Sequence, residues 1–118
     1  IVAPPLFPLF GLRRAPGTPD PLHDAATDPD FDGFAGLLRS GLPPVPLPKL
    51  PRLLNGGSEV EFYQLPQVGD RITARAQYLD IYEKSGRSGT MVFIVIETRY
   101  LTQDDDLLLV SRVTLIRS

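Results

Sequence analysis

The amino-acid sequence predicts an α+β domain in which a long, curved antiparallel sheet wraps around one buried helix. Three observations lead there. Twelve of the 13 prolines lie at or before Pro51, and because proline lacks an N–H and fixes φ, the first half cannot hold long regular strands. The second half alternates apolar and polar residues in runs divided by turn residues, the period-2 pattern of half-buried strands. Three of those runs reach ~10–13 residues, or roughly 35–45 Å at about 3.3 Å per residue. A sheet that long twists and curls, and its concave face needs an apolar object to bury. The one apolar helix candidate is the Leu6–Leu12 stretch.

At 118 residues the chain is one domain. It divides into a helix region at 1–14, a Pro-rich excursion at 15–53 and a four-stranded antiparallel meander at 54–118. Pro4 and Pro5 suit the first turn of a helix, and Leu6, Phe7, Leu9, Phe10 and Leu12 supply its apolar residues. Pro8 fits only if it too falls in that first turn. The Pro-, Asp- and Gly-rich stretch that follows has small apolar islands, Phe34 and Leu37-Leu38 among them. Loops of this length are either functional or poorly ordered, and a surface excursion packed by its own side chains is the simpler expectation. Within it, Val45-Pro46-Leu47-Pro48 is expected as extended polyproline, since each proline also restricts the residue before it.

In the second half, Val60 and Phe62 alternate with Glu59, Glu61 and Tyr63. The segment Pro66-Gln67-Val68-Gly69-Asp70 reads as a turn. Ile72, Ala74, Ala76 and Tyr78 then share one face and Leu79 and Ile81 the other, a switch that signals a bulge or a strand buried on both sides. Ser85-Gly86-Arg87-Ser88-Gly89 supplies the next turn. Thr90–Thr102, rich in β-branched and aromatic residues, is the strongest strand, and Leu107–Ile116 closes the sheet after Asp104-Asp105-Asp106. Sequential strands with short connections default to an antiparallel meander.

Composition narrows the function. A net charge of −2 and scattered Lys and Arg argue against a nucleic-acid groove. With no cysteine and one histidine, disulfides and thiolate metal sites are excluded, no metal site or cofactor is expected, and a reducing cytoplasm suits the chain. No apolar stretch approaches the ~18 residues that span a bilayer, so a soluble protein is expected. The start, Ile1-Val2-Ala3-Pro4-Pro5, is neither a signal peptide nor a polar tail, and reads as a piece of a longer protein.

Three segments carry a family signature: Leu54-Asn55-Gly56-Gly57-Ser58-Glu59-Val60-Glu61-Phe62, Val68-Gly69-Asp70, and Glu83-Lys84-Ser85-Gly86-Arg87-Ser88-Gly89. Together with residues 1–12 they resemble the N-terminal, non-catalytic half of MaoC-like dehydratases, double hot-dog proteins that act on acyl thioesters. The curved sheet around one helix deduced above is the hot-dog architecture, here expected to lack its first strand. In place of the family's usual glycine after the third visible strand stands Asp104-Asp105-Asp106, and Asp tolerates positive φ better than most residues.

The resemblance implies where the chemistry is absent. Catalytic MaoC-like domains use an Asp followed five positions later by a His, upstream of the helix, and a glycine N–H at the helix start as oxyanion donor. Ile1-Val2-Ala3-Pro4-Pro5 resembles their Ile-Val-His-Gly-Met run, which puts Pro4, with no N–H, where the oxyanion glycine stands. His23, in Asp20-Pro21-Leu22-His23, has the wrong spacing and lies after the helix, so no residue of this chain is expected to be catalytic. Expected substrate-binding residues are Pro4, Phe7, Gly56, Gly57, Phe62 and Arg87. In that role Gly56 and Gly57 allow close approach of a partner backbone or an acyl chain, and Arg87 reaches a coenzyme A phosphate. An exposed strand face explains Glu59 and Glu61 without a paired-carboxylate role.

The function expected is therefore the substrate-accommodating half of an enoyl-thioester hydratase or 3-hydroxyacyl-thioester dehydratase, inactive alone. Its partners would be an acyl-CoA or acyl-carrier thioester and a catalytic hot-dog domain or subunit, or a second copy in a dimer, since an unpaired sheet edge invites another chain. The alternative is a non-catalytic acyl-thioester binding or assembly module. A thioesterase is weaker, because Leu6–Arg14 offers no carboxylate.

Overall fold

A computed structural model describes residues 1–11, 17, 27, 29 and 42–118. The expected helix end at Leu12–Arg14, His23, and the islands at Phe34 and Leu37-Leu38 lie outside the described residues. The elements are one short helix, α1 (Phe7–Gly11), and four strands, β1 (Leu53–Phe62), β2 (Thr73–Gly86), β3 (Gly89–Leu101) and β4 (Leu107–Arg117).

The helix opens as the prolines dictate. Phe7 N–H donates to Pro4 O at 3.0 Å and Leu9 N–H to Leu6 O at 3.0 Å, so Pro8, with no N–H to give, sits in the first turn. The helix is only partly covered by the chain's own sheet. Pro8 is buried and Leu9 packs against Tyr100, Leu108 and Leu109, whereas Leu6 and Phe7 are 43% and 49% exposed.

All pairings are antiparallel, but the sheet order is β1-β4-β3-β2, which corrects the expected meander. Strands β2, β3 and β4 do form consecutive hairpins; β1 instead adds to the far side of β4, with Phe62 opposite Leu109. The reason lies in the 63–72 connection. Tyr63 and Gln64 N–H both donate to Leu108 O, at 2.9 and 3.2 Å, which carries the chain across the end of the sheet instead of back along β1. The expected Pro66–Asp70 turn exists within this crossing, closed by Asp70 N–H to Gln67 O (3.1 Å) and Gln67 N–H to Asp70 Oδ2 (2.8 Å), with Gly69 at φ 95°. Val2 bridges to Gln67 there, and Ala3 N–H donates to Pro66 O at 2.8 Å.

Two irregularities shape the strands. The register shifts between Tyr78 and Asp80, the bulge that the face switch in β2 signals. It returns Ile81, opposite Ile94, to the face that Tyr78 holds opposite Ile96. A second shift lies between Asn55 and Gly57 on β1. In the β3–β4 turn Asp105 has φ 62°, the positive φ expected of this Asp run.

One face carries the core. Val92, Ile94, Ile96 and Leu115 form a buried cluster near the β2–β3 hairpin, and Tyr100, Leu108 and Leu109 form another at the helix end. Leu42, Val45, Leu47 and Leu50 cover the first cluster, and Leu9 of α1 covers the second. Residues 42–47 form neither helix nor strand, and Pro48-Lys49 make a turn closed by Leu50 N–H to Leu47 O at 3.0 Å.

Candidate functional site

The candidate substrate surface begins where the chain enters α1. Between residues 3 and 8, Pro4, Pro5 and Pro8 have no N–H, and those of Ala3 and Phe7 are already bonded to Pro66 O and Pro4 O. Among the described residues this leaves Leu6 as the one backbone donor in that stretch not committed to a backbone partner. An open pocket of about 450 Å³ is lined by Val2, Gln64, Gln67, Asp70, Thr102 and Asp106, among others, and by none of residues 3–8. Its polar, acidic lining suits neither an acyl chain nor a phosphate.

The six expected substrate-binding residues fall at three stations along the sheet. Pro4, Phe7 and Phe62 occupy the helix end: Phe62 pairs with Leu109, against which Leu9 packs, and is itself 52% exposed. Gly56 and Gly57 lie midway, Gly57 opposite Thr114 and Thr114 opposite Val95. Arg87 sits in the exposed turn between Gly86 and Gly89. From Gly89 to Tyr100 along β3 is about 36 Å at ~3.3 Å per residue, so within one chain Arg87 and Pro4 serve opposite ends of the sheet.

The two glycines differ. A Cβ on Gly56 would lie 2.9 Å from Thr114 Cγ2 and 3.1 Å from both Ile116 Cγ1 and Thr114 O, so the backbone it admits is this chain's own β4. Gly57 meets nothing within 4 Å but has φ 113°, a conformation L side chains rarely adopt. Its N–H donates to Asn55 Oδ1 at 2.9 Å, which pins the bulge.

The opposite sheet face holds a charge network that the sequence pattern left unassigned. Glu97, 4% exposed on β3, accepts from Arg112 Nε (3.0 Å), Arg99 Nε (3.3 Å) and Gln77 Nε2 (3.2 Å). Arg112 also donates through Nη1 to Glu61 at 2.7 Å, and the Tyr63 hydroxyl donates to Glu61 at 2.7 Å. Burial pushes the Glu97 carboxyl up, but the hydrogen bonds from Arg112, Arg99 and Gln77 outweigh it and hold the group below the usual carboxylate range. The bond from Arg112, then that from Tyr63, lowers Glu61 likewise. Glu61 is thus an ion-pair partner; Glu59, opposite Arg112, does not join it as a carboxylate pair. The available signal was a single acid or base set inside an apolar run, Glu97 after Val92–Ile96 and Arg112 within Leu107–Leu115.

A family model for the FAS1-like dehydratase domain region matches residues 1–110. The chain belongs to this dehydratase family. That membership agrees with the MaoC-like motifs, and the fold is the hot dog. A chain of the ChsH1–ChsH2 complex of Mycobacterium tuberculosis aligns over 99% of this chain and 59% of its own length, at 16% identity and TM-score 0.59. The HadBC (3R)-hydroxyacyl-ACP dehydratase complex of the same organism aligns over 54% of this chain and 44% of its own, at 19% identity and TM-score 0.47. A MaoC-like dehydratase from Rhodospirillum rubrum aligns over 55% and 44%, at 15% identity and TM-score 0.45. Among curated proteins, no sequence matches significantly. The dehydratase-family chain spans about half the length of the solved chains it resembles. No helix among its described residues is long and apolar enough to cross a membrane, and none of them form a group of three or more His, Cys, Asp or Glu able to hold a metal.

Proposed function

We propose that this chain is the substrate-accommodating half of an enoyl-thioester hydratase or 3-hydroxyacyl-thioester dehydratase, with the Asp and His of catalysis supplied by a second hot-dog domain or subunit. The observation that carries the reading is the helix entry. An oxyanion hole needs an uncommitted N–H aimed at the developing charge, and at residues 3–8 three prolines and two occupied donors leave only that of Leu6, two residues past the Pro4 position that the resemblance gives to the oxyanion glycine. What the entry offers instead is surface: half-exposed Leu6, Phe7 and Phe62 beside the covered Tyr100–Leu109 cluster, suited to an acyl chain or a partner's apolar wall. The similar chain solved within the ChsH1–ChsH2 complex favours a partner subunit. A cytoplasmic setting fits the absence of cysteine.

The test is reconstitution. The purified chain should show no hydration of a crotonyl-type thioester, and mixing or fusing it with an Asp- and His-bearing hot-dog partner should give turnover that neither partner gives alone. Robust turnover by the chain alone would overturn the proposal. A partner that binds it and an acyl thioester, but never turns over, would point to a binding or assembly module.

A further inference from the structure

Side chains alternate across a strand, so the outer sheet face, the one that holds the Glu97 network, also carries Phe93 and Val95 of β3. Register divides this face into rows that cross all four strands. One row is wholly apolar: Leu54 lies opposite Ile116, Ile116 opposite Phe93, and Phe93 opposite Tyr82. The Tyr82 and Phe93 rings stack at 5.0 Å with 4° between their planes. Lys84 Nζ lies 5.3 Å from the Phe93 centroid and 5.6 Å from that of Tyr82. Leu54 is 50% and Tyr82 37% exposed, and Phe93, Val95, Thr114 and Ile116 are half-buried. An apolar band of this kind, rimmed by polar residues, marks a contact surface.

The flanking rows choose the occupant. Glu61 shares a row with Val110, Arg99 and Arg75, and Glu59 shares one with Arg112, Glu97 and Gln77. The exposed acids thus stand on β1, at one side of the sheet, and Arg75 and Gln77 stand on β2, at the other. A two-fold axis parallel to the strands, between β3 and β4, places the β1 of one copy over the β2 of the next. It lays the apolar row on itself, with Ile116 on Phe93 and Leu54 on Tyr82, and sets Glu61 on Arg75 and Glu59 on Gln77. Asp80, opposite Val95, then meets the bulge at Gly56 and Gly57, where no side chain stands. One like-signed meeting, Arg52 with Lys84, falls on the rim, where water and salt screen it. An axis across the strands would instead lay Leu54 on Glu61. The face is therefore complementary to itself in one orientation.

We propose that two copies of this chain pack outer face to outer face about that axis, as aligned sheets about 10 Å apart. Met91 to Arg99 spans about 26 Å, and four strands with their side chains about 20 Å, or roughly 500 Å² per copy in projection. That is below the ~800 Å² per partner of a standard interface, so the dimer dissociates in the micromolar range. It leaves the concave face and both sheet edges uncovered, and so goes beyond the thioester reading without depending on it.

The experiment is sedimentation combined with single-cysteine cross-linking of the full chain, which has no cysteine of its own. Val95→Cys and Thr114→Cys lie on the two central strands, either side of the axis. Face packing brings each within about 11 Å of its counterpart. Pairing through the β1 edge would part the two Val95 positions by five strand gaps, about 24 Å, and pairing through the β2 edge would part the two Thr114 positions equally. A bismaleimide of about 10 Å span should therefore link both single variants. Leu54→Lys and Arg75→Glu should each raise the dissociation constant at least about tenfold, since a two-fold axis makes each change felt twice. Near-ultraviolet circular dichroism confirms native packing. Should Leu54→Lys not fold, Arg75→Glu alters a side chain that is 69% exposed and carries the test alone. Linking at one position only, linking at neither, or a dimer that the folded variants leave unchanged would overturn the proposal.

Discussion

Replacing Gly56 with alanine tests whether this glycine serves the fold or a substrate wall. The added Cβ would sit 2.9 Å from Thr114 Cγ2, 3.1 Å from Ile116 Cγ1 and 3.1 Å from Thr114 O. The two side-chain carbons can give by rotating, but the carbonyl belongs to the β1–β4 ladder and cannot move without lengthening its bonds. Overpacking of this kind costs about 1–3 kcal/mol. Against it stands the roughly 0.5–1 kcal/mol that alanine gains over glycine inside a strand. The net loss should be about 1–2 kcal/mol, which for a domain of this size lowers Tm by roughly 4–10 °C. Thermal and urea unfolding of Gly56→Ala, Thr114→Ser and the double variant measure it. Removing Cγ2 relieves the shortest contact, so the double variant should lose less than the sum of the single losses by about 0.5–1 kcal/mol. The reasoning fails if Gly56→Ala is as stable as the parent. It also fails if the pair is additive, which would put the strain elsewhere.

Three further outcomes follow from the same geometry. Glu97 and Glu61 have lowered folded-state pKa values, so the stability they contribute is present above the unfolded carboxylate value of about 4.3 and is lost as pH falls through the folded ones; Tm should be flat between about pH 6 and 8 and drop below about pH 4, with a shallower drop in Glu97→Gln. Asp105, at φ 62° and in an exposed 3.9 Å pair with Arg75 worth little, should tolerate Asp105→Gly with a gain of up to about 1 kcal/mol, whereas Asp105→Val should lose about 1–2 kcal/mol by chemical denaturation. Among the described strands, β1 and β2 each have an unpaired outer edge, so sedimentation at micromolar concentration should show self-association; a well-behaved monomer would count against an edge-paired dimer.

Much of the fold was legible because it is written in local signals. Alternation marked four strands, Pro4 and Pro5 marked a helix start, the face switch at Tyr78 marked a bulge, and the Asp run marked a positive-φ turn. Sheet order was not legible. Whether the ten residues after Phe62 double back or cross to another strand depends on which edge offers acceptors, and Leu108 O, 44 residues beyond Gln64 in the chain, is what Tyr63 and Gln64 find.

The same division holds for the candidate site. The absence of a backbone donor at Pro4 is a property of the residue and needs no coordinates. What surrounds it is non-local. That the Ala3 donor is spent on Pro66, that Gly56 admits β4 rather than a ligand, and that Arg87 stands at the far end from Pro4 all follow from pairing between distant segments. So does the placement of the proline-rich 42–50 segment, whose prolines predicted only an extended stretch; the bonds to its carbonyls from Tyr78 and Arg117, 35 and 67–70 residues away in sequence, decided which face it covers. The sequence by itself determined residue chemistry and local conformation, because donors, φ limits and side-chain period belong to single residues and their neighbours. Only the tertiary structure decided what those residues meet, because contact between distant segments is selected by the packing of the whole sheet.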